Sequence, residues 1–291
     1  GRLGRQGPGG PAGHEPYRAR HGVGHRRRAG PNPGHADHPL RLAVGGRRLP
    51  GLAPVAEDRR AGSDAYTAVD KAEEQKEEAF LINAEAAGNL ASVCSDHKAK
   101  LIHISTDYVY DGSSREALKE EDAVAPLNVY GWSKLRGEEL ILNKYLSSLI
   151  IRTSWVYSSF GNNFVKTILR LCKEKEKLNV INDQYGSPTY ATDLALVIMK
   201  FIEEIEDSKD HHGIVNYCND GTTTWYDFAL AITSFVNSKC EILPIASSQY
   251  KTAAVRPAYS ILDTSKIKRM LNIEIPFWKN SLEACLEKLQ P

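Results

Sequence analysis

From residue 65 onward the sequence predicts an α/β fold, with a doubly wound parallel sheet covered by helices on both faces. Short, mainly apolar runs at residues 99–105, 149–153 and 178–181 are typical of strands buried on both faces. The longer segments between them carry apolar side chains at helical spacing. Strands that alternate with helices favour parallel pairing, because a helical crossover returns the chain to the same end of the sheet.

The predicted elements follow one another in a regular order. Residues 73–93 form a helix rich in Ala, Glu and Leu, the strand at 99–105 ends in hydroxyl side chains, and a helix covers residues 131–145. A later helix is expected to be capped at its start by Thr192 or Asp193. The remaining predicted elements are a strand at 149–153, a helix at 163–173, a strand at 178–181, a helix at 192–205, a strand at 214–218, a helix at 225–236 and a terminal helix around 278–289.

The first 64 residues differ from the rest in composition. They hold 14 of the 22 Gly, 8 of the 14 Pro and 12 Arg, and contain no Lys, Ile, Phe or Thr. Such a sequence buries too little apolar surface to fold alone, so we predict that residues 1–64 are mostly irregular. We interpret them as a misread or fused stretch, because their residue types are those of GC-rich coding sequence read in another frame. A nucleic-acid-binding arm and a targeting peptide are the alternatives.

The overall composition excludes several classes of protein. The chain has 291 residues, is 42% hydrophobic and carries a formal net charge of +1, which fits one large domain or two moderate ones. No apolar stretch could span a bilayer, so we expect a cytoplasmic protein that binds neither membrane nor nucleic acid. The cysteines are widely spaced, and we expect reduced thiols and no metal site from Cys94, Cys172, Cys218, Cys240 and Cys285.

Tyr130 and Lys134 are the most informative pair of residues. Their spacing of four places both side chains on one face of a helix, so that an ammonium group can lie beside a phenol and ease its proton loss. The strand before them ends at Ser105 and Thr106, and ligands bind at the carboxyl edge of open α/β sheets. Proton transfer near neutral pH is the chemistry that this arrangement indicates. The alternative is an exposed helical pair without function.

Several consecutive motifs resemble one enzyme family, the dTDP-4-dehydrorhamnose reductases of the extended short-chain dehydrogenase/reductase superfamily. The resemblance runs from about Ala65 to the C-terminus and implies a Rossmann-like fold. The motifs that carry it are at residues 65–73, 105–112, 130–134, 152–157, 161–164, 183–189 and 256–260.

This resemblance implies a reaction. The family reduces the 4-keto group of dTDP-4-dehydro-β-L-rhamnose with NAD(P)H, giving dTDP-β-L-rhamnose for cell-surface polysaccharide. By motif, Tyr130 would donate a proton to the sugar oxygen as hydride arrives at C4. Lys134 would hold the nicotinamide ribose and lower the pKa of Tyr130, and Thr106 would bind the carbonyl oxygen.

The resemblance also implies binding residues and a division of the chain. Residues 65–170 would continue the cofactor domain, in which Tyr66 and Thr67 line the cofactor together with Tyr130 and Lys134. Residues 171–291 would mainly bind substrate. The residues expected to shape the sugar-nucleotide pocket are Asp107, Tyr108, Trp155, Gln184, Thr189 and Arg256.

Each of these pocket residues has a simpler interpretation. Trp155 and Tyr108 fit core aromatics, and Arg256 fits a surface ion pair. Gln184 and Thr189 fit turn residues around Gly186 and Pro188.

The N-terminal segment departs from the family pattern. The family opens with a strand and a Thr-Gly-x-x-Gly-x-x-Gly turn, whose glycines let the backbone approach a pyrophosphate. Only Gly1 and Gly4 resemble the last glycines of that turn, and a Pro-Gly repeat follows where a helix is expected. We therefore predict that the first βαβ unit is missing or aberrant and that this chain binds its cofactor weakly.

Two other functions remain open from the sequence. Regulatory subunits of methionine adenosyltransferase resemble the same reductases and do not catalyse, whereas nucleotide-sugar epimerases and 4,6-dehydratases share the superfamily. The sequence does not decide between NADH and NADPH, between a monomer and a homodimer, or whether Mg²⁺ is needed. No carboxylate or His cluster in the sequence marks a metal site.

Overall fold

The protein is described by a computed structural model that covers residues 65–206 and 211–289. The predictions for residues 1–64 lie outside the described residues. These predictions are the irregular N-terminal segment, the missing or aberrant first βαβ unit, and the cofactor-binding role of Gly1 and Gly4. The division between residues 65–170 and 171–291 stays a prediction.

The described residues form nine α-helices and nine strands. The helices are α1 Val69–Ala72, α2 Lys76–Phe80, α3 Ala87–Asp96, α4 Val129–Lys144, α5 Phe164–Glu174, α6 Ala191–Glu206, α7 Trp225–Phe235, α8 Ser265–Leu271 and α9 Trp278–Glu287. The strands are β1 Ile102–Thr106, β2 Leu149–Thr153, β3 Val156–Tyr157, β4 Lys177–Ile181, β5 Tyr185–Gly186, β6 Thr189–Tyr190, β7 Gly213–Asn216, β8 Thr223–Thr224 and β9 Glu241–Ile245.

A three-stranded parallel sheet positions the site. Its strand order is β1-β2-β7, and its register places Thr106 opposite Thr153 and Ile151 opposite Val215. The carboxyl ends of β1 and β2 therefore meet at one edge, where α/β sheets bind ligands. The predicted parallel pairing is confirmed.

Helices cover both faces of this sheet, as predicted. Along β2 the buried side chains alternate: Ile150 joins a core with Ala91 and Ile141 of α3 and α4, whereas Ile151 joins a core with Phe201 of α6 and with α8. A strand buried on both faces has no solvated face, which explains the three consecutive apolar residues at its start.

A second hydrophobic core is built by helices α5, α7 and α9. Phe228, Ile232 and Trp278 are fully or almost fully buried in it, together with side chains of the parallel pair β4–β9. Two short ladders, β3–β6 and β5–β8, lie in the same half of the sequence. They align the loops that follow the carboxyl end of β2.

The helix predicted over residues 73–93 is present as one continuous helical segment at residues 76–96, but it contains a π-helical turn that was not predicted. A turn follows α1 and precedes α2, and the segment Leu81–Ala86 between α2 and α3 is a π-helix. Apolar spacing does not reveal a single wide helical turn, because it leaves most of the neighbouring apolar positions in place.

The other predicted helices and strands are confirmed to within a few residues. Sequence reasoning missed the two-residue strands, which have no periodicity, and also α8 and β9. β9 contains Pro244, which disfavours a strand prediction. Asp193 lies in the first turn of α6 and accepts hydrogen bonds from Asn219 Nδ2 at 2.6 Å and Ser281 Oγ at 2.5 Å, so it connects α6 to α9.

Gly137 allows the π-helical segment to approach α4. A Cβ atom at this position would overlap the backbone carbonyl oxygen of Asn83. Because this contact is with backbone, we expect Gly137→Ala to lower the free energy of unfolding by about 1–3 kcal/mol. Chemical denaturation measures the change.

Gly88→Ala is the matched control for this prediction. A Cβ at Gly88 meets only side-chain atoms, with Leu140 Cβ at 3.0 Å and Lys144 Nζ at 3.4 Å. Side chains can move, and Ala has the higher helix propensity, so we expect a smaller loss. Equal stability of Gly137→Ala and the unmodified chain would contradict the close approach.

Three further features concern the described part of the chain. No helix in it is long and apolar enough to cross a membrane. It contains no group of three or more His, Cys, Asp or Glu side chains placed to hold a metal ion. The five cysteines have free thiols, and all except Cys172 are buried.

Candidate active site

Thr106 lies at the carboxyl edge of the sheet, as the strand pattern predicted. Its Oγ1 accepts a hydrogen bond from the backbone N–H of Tyr108 at 3.2 Å and so caps the 3₁₀ turn Asp107–Val109. The same hydroxyl donates to Asp107 Oδ1 at 3.0 Å. A hydroxyl at this edge can bind the carbonyl oxygen of a ligand.

The first turn of α4 brings Tyr130 to the same edge. Asn128 caps the helix, since its Oδ1 accepts from the backbone N–H of Gly131 at 2.8 Å. A Cβ at Gly131 would overlap the carbonyl oxygen of Tyr108. The glycine in the Tyr-Gly-Trp-Ser-Lys motif is therefore needed for the close approach of this turn to the segment after β1.

The Tyr130 phenol is half-buried, and the side chain of Thr106 interacts with it. Its ring packs edge-on against Tyr108, with 5.7 Å between ring centroids. Burial raises the pKa of Tyr130, the Thr106 side chain opposes this and the Asp107 carboxylate adds to it, so that the pKa is about 12. Tyr130 is therefore protonated at neutral pH, as a proton donor has to be.

Lys134 lies one helical turn beyond Tyr130, and only 3% of its surface is exposed. Its Nζ donates to the carbonyl oxygen of Ile104 at 2.7 Å and lies 3.2 Å from His103 Nε2. The ammonium is directed at β1, and burial is the largest influence on the pKa of the Tyr130 phenol. That Lys134 lowers the pKa of Tyr130 stays a prediction. Burial lowers the pKa of Lys134 itself to about 8, an effect that Glu138 opposes.

His103 supports Lys134 as a neutral acceptor. Burial and the neighbouring ammonium lower the pKa of His103 to about 3, so its ring is uncharged near neutral pH. His103 and Ile104 together hold the ammonium against the strand.

Asp107 is a buried acid next to the Tyr130 phenol. Burial raises its pKa to about 7, while hydrogen bonds from Ser260 and Thr106 lower it. Its Oδ2 atom has no hydrogen-bond partner among the described residues. An unpaired buried oxygen is uncommon in a folded protein.

Asn83 connects the catalytic helix to the segment before α1, a role that sequence reasoning missed. Its Oδ1 accepts from the backbone N–H of Tyr66 at 2.9 Å, and its Nδ2 donates to the Tyr66 carbonyl at 3.0 Å and to Ser133 Oγ at 2.9 Å. Ser133 Oγ donates in turn to the Tyr130 carbonyl at 2.8 Å. The only signal in the sequence is a polar residue on the apolar face of a predicted helix.

A buried ion pair supports α4 from behind. Arg152 Nη2 lies 2.6 Å from Glu138 Oε2, and both side chains are almost fully buried. Ser105 Oγ donates to Glu138, and Arg152 Nη1 donates to the Tyr110 hydroxyl at 2.7 Å. Because Glu138 is one turn beyond Lys134, this pair fixes the helix to β1 and β2.

Arg256 forms an ion pair with the start of α1. Its guanidinium donates to both carboxylate oxygens of Asp70, at 2.6 and 3.1 Å, and Asn128 Nδ2 donates to the Val255 carbonyl at 2.8 Å. Arg256 also hydrogen-bonds Tyr108. The ion-pair interpretation is thus correct, and the pair places Arg256 beside the Tyr108–Tyr130 contact.

The other predicted pocket residues lie on loops after β2. Trp155 follows β2 by two residues and is half-buried. Thr189 lies in β6, not in a turn, and is fully buried with its Oγ1 3.3 Å from Thr153 Oγ1. Gln184 is buried just before β5. Their roles in substrate binding stay predictions.

Tyr66 and Thr67 precede α1. The Tyr66 hydroxyl donates to Gln75 Oε1 at 2.5 Å, and Thr67 is exposed. Their positions leave Thr67 accessible to a ligand, but contact with a cofactor stays a prediction. The structure therefore brings Thr106, Asp107, Tyr108, Tyr130 and Lys134 together, with Arg256 at their side.

The fold and this site define the class of the protein. A Tyr–Lys pair on a helix, beside a hydroxyl at the carboxyl edge of a parallel sheet, makes it a Rossmann-like oxidoreductase of the short-chain dehydrogenase/reductase type.

Comparison with known proteins identifies the family. The family model for the RmlD substrate binding domain matches residues 62–291. A dTDP-4-dehydrorhamnose reductase of Escherichia coli K12 is 42% identical over 233 residues, and the match covers 77% of each chain. The dTDP-4-dehydrorhamnose reductase of Aggregatibacter actinomycetemcomitans is 40% identical over 226 residues, and the match covers 75% of this chain and 77% of the relative. The crystal structure of a Bacillus anthracis dTDP-4-dehydrorhamnose reductase in complex with NADP has a TM-score of 0.73 at 40% identity and covers 77% of this chain and 78% of that one. The chain belongs to the dTDP-4-dehydrorhamnose reductase family.

Proposed function

We propose that the protein reduces the 4-keto group of dTDP-4-dehydro-β-L-rhamnose to give dTDP-β-L-rhamnose. One observation carries the proposal: a protonated Tyr130 phenol lies beside Thr106 at the carboxyl edge of the sheet, with Lys134 one helical turn away. Reduction of a ketone needs a donor for the oxygen that becomes a hydroxyl, and a protonated phenol supplies it. Relatives about 40% identical that are named as these reductases support the substrate.

The residues present suit a nicotinamide cofactor. The Lys134 ammonium has three N–H donors, and among the described residues two are directed at His103 and Ile104, so a third is available to a ribose hydroxyl. Tyr66 and Thr67 would line the adjoining part of the cofactor. When bound, the reduced nicotinamide supplies the hydride.

The side chains have separate tasks in this proposal. Thr106 donates a hydrogen bond to the C4 carbonyl oxygen, and Tyr130 transfers its phenolic proton to that oxygen as negative charge develops there. Lys134 stabilises the phenolate that remains. Asp107, Tyr108, Trp155, Gln184, Thr189 and Arg256 are proposed to bind the sugar nucleotide.

NADPH is the first cofactor to test, because the Bacillus anthracis relative binds NADP. NADH stays open for this chain, as do a cytoplasmic location and a monomeric or homodimeric state. The weak cofactor binding predicted from residues 1–64 is measured by the KM for NADPH. A role for Mg²⁺ has no support from the described residues.

The alternatives differ in what they require of the site. A regulatory subunit needs neither a proton donor nor a buried ammonium, so Thr106, Tyr130 and Lys134 favour an enzyme. An epimerase or dehydratase retains NAD through its cycle, whereas a reductase consumes a reduced cofactor from solution.

Steady-state NADPH oxidation tests the proposal. The purified chain is supplied with dTDP-4-dehydrorhamnose at several NADPH concentrations, and absorbance is followed at about 340 nm, where reduced nicotinamide absorbs. We expect consumption of NADPH only when the sugar nucleotide is present. Folded protein that consumes none, or that is purified with bound NAD, would contradict the proposal.

The rate should fall as pH rises through about 8. Lys134 is charged below its pKa of about 8 and loses its proton above it, and the neutral amine stabilises neither the Tyr130 phenolate nor a ribose hydroxyl as well. The pH profile of kcat measures this. In Asp107→Asn the alkaline limb should remain, because Asp107, whose pKa is about 7, does not cause it. In Lys134→Arg, whose guanidinium stays charged, any residual activity should lack that limb.

A further inference from the structure

The backbone of Trp155 has a conformation that L-residues rarely adopt. Its φ angle is +46°, in the left-handed region, which is strained for a bulky side chain. Such a conformation persists only where surrounding contacts impose it, and it recurs at ligand-binding sites. Trp155 is the second residue after the carboxyl end of β2, the edge that also carries Thr106.

Trp225 provides the largest of those contacts. The indole rings of Trp155 and Trp225 are parallel within 9°, and their centroids are 3.6 Å apart. Trp225 is the first residue of α7 and packs against Phe164 at 4.6 Å and Phe228 at 6.5 Å between centroids. It therefore connects Trp155 to the second hydrophobic core.

Gly186 provides a second contact. A Cβ at this position would lie 2.5 Å from Trp155 Cε2 and 2.7 Å from Cζ2, so the indole occupies the space of a side chain. Strand β5 holds Gly186 opposite Thr223 of β8, and Trp225 follows β8 directly. In addition, the Thr189 N–H donates to the Trp155 carbonyl at 3.2 Å. The ladders β3–β6 and β5–β8 thus align Thr189, Gly186 and Trp225 around Trp155.

We infer that Trp225 and Gly186 are positioning residues that hold the Trp155 indole in place to bind the sugar nucleotide. This rests on the proposed function, in which Trp155 belongs to the sugar-nucleotide pocket. Neither residue needs to contact the substrate. Their effect is to hold the indole in the segment that follows the carboxyl end of β2, although the Trp155 backbone is strained.

The test compares two tryptophans in one core. Trp225 and Trp278 both contact Phe228, but only Trp225 stacks on Trp155. For Trp225→Leu we expect the KM for dTDP-4-dehydrorhamnose to rise roughly tenfold or more, because loss of an aromatic stack and of orientation acts on that substrate. The KM for NADPH should stay within about twofold, since no cofactor contact changes. Trp278→Leu should lower the unfolding midpoint, but it should leave the ratio of the KM for the sugar nucleotide to the KM for NADPH unchanged.

Two further variants distinguish positioning from general packing. Trp225→Phe keeps a stacking ring and should restore the KM for the sugar nucleotide to within about threefold of the unmodified chain. Gly186→Ala should reproduce the Trp225→Leu phenotype with Trp225 intact, because the added methyl displaces the indole. Near-ultraviolet circular dichroism should lose the coupled signal of the stacked indoles in Trp225→Leu and keep it in Trp278→Leu.

The possible outcomes separate the two proposals. If the unmodified chain neither turns over the sugar nucleotide nor binds dTDP, the proposed function fails and this inference fails with it. If the unmodified chain is active but Trp225→Leu leaves the KM for the sugar nucleotide unchanged, only the inference is overturned. Equal rises of both KM values in Trp225→Leu and Trp278→Leu would also overturn it.

Discussion

Replacement of Tyr130 by Phe is expected to reduce kcat by about 10²–10⁴-fold, the range that positioned proton donors contribute. The change removes one hydroxyl, which interacts with the Thr106 side chain, and leaves the ring packed edge-on against Tyr108. Because the ring contact remains, the KM values and the unfolding midpoint should change little. Steady-state kinetics at saturating substrates, with thermal unfolding, measure both expectations.

Tyr145→Phe is the control for this variant. Tyr145 follows the last residue of the same helix, where it packs with the core that contains Ile141 and Ile150, away from Thr106. The control should keep its activity. A Tyr130→Phe enzyme that retains more than about a tenth of the original kcat would contradict the role of the phenol as proton donor.

Replacement of Arg152 by Met is expected to lower the free energy of unfolding by about 3–5 kcal/mol, because it leaves the buried Glu138 carboxylate without its partner. The guanidinium donates to both oxygens of Glu138 and also to Tyr110, so the variant loses a network and not a single contact. Urea denaturation measures the loss. Since the pair fixes α4 to the sheet, activity should fall as well.

Two comparisons test the physical reason. Arg136→Met removes an exposed ion pair with Glu139 on the same helix, with 2.9 Å between Nη1 and Oε2, and should cost less than about 1 kcal/mol. The double variant Glu138→Gln, Arg152→Met should be more stable than Arg152→Met alone, because it buries no unpaired charge. Equal losses for Arg136→Met and Arg152→Met would contradict a buried, coupled pair.

The sequence was most informative where a local pattern of residues directly determines where a side chain lies in a strand or helix. The run at residues 149–153 predicted β2 with its observed bounds, because its three consecutive apolar residues are typical of a strand buried on both faces. Tyr130 and Lys134 were found from their spacing, which a helix converts directly into a shared face. Thr106 was found because a hydroxyl ended an apolar strand.

Other parts of the site depend on contacts between distant residues. Asn83 acts through the π-helical segment Leu81–Ala86, and Asp70 reaches Arg256 across 186 positions of the sequence. Neither arrangement leaves a periodic signal. The stack of Trp155 on Trp225 is of the same kind, since the short ladders β3–β6 and β5–β8 that align it have two residues per strand.

One expectation about chemistry also needed the structure. A Tyr–Lys spacing of four suggests a phenol with a lowered pKa, but burial beside Asp107 raises the pKa of Tyr130 to about 12. Only the coordinates show that the ammonium is directed at Ile104 and His103. The result suits reduction, in which the phenol begins protonated.

The most direct test of the proposed reaction follows the hydride itself. NADPH labelled with deuterium at the transferred position of the nicotinamide is incubated with the chain and dTDP-4-dehydrorhamnose, and the sugar product is examined by mass spectrometry and NMR. We expect dTDP-rhamnose with one deuterium at C4 and one NADPH consumed for each product molecule. A product without the label at C4, or substrate that stays unreduced while the protein is folded and NADPH is in excess, would contradict the assignment.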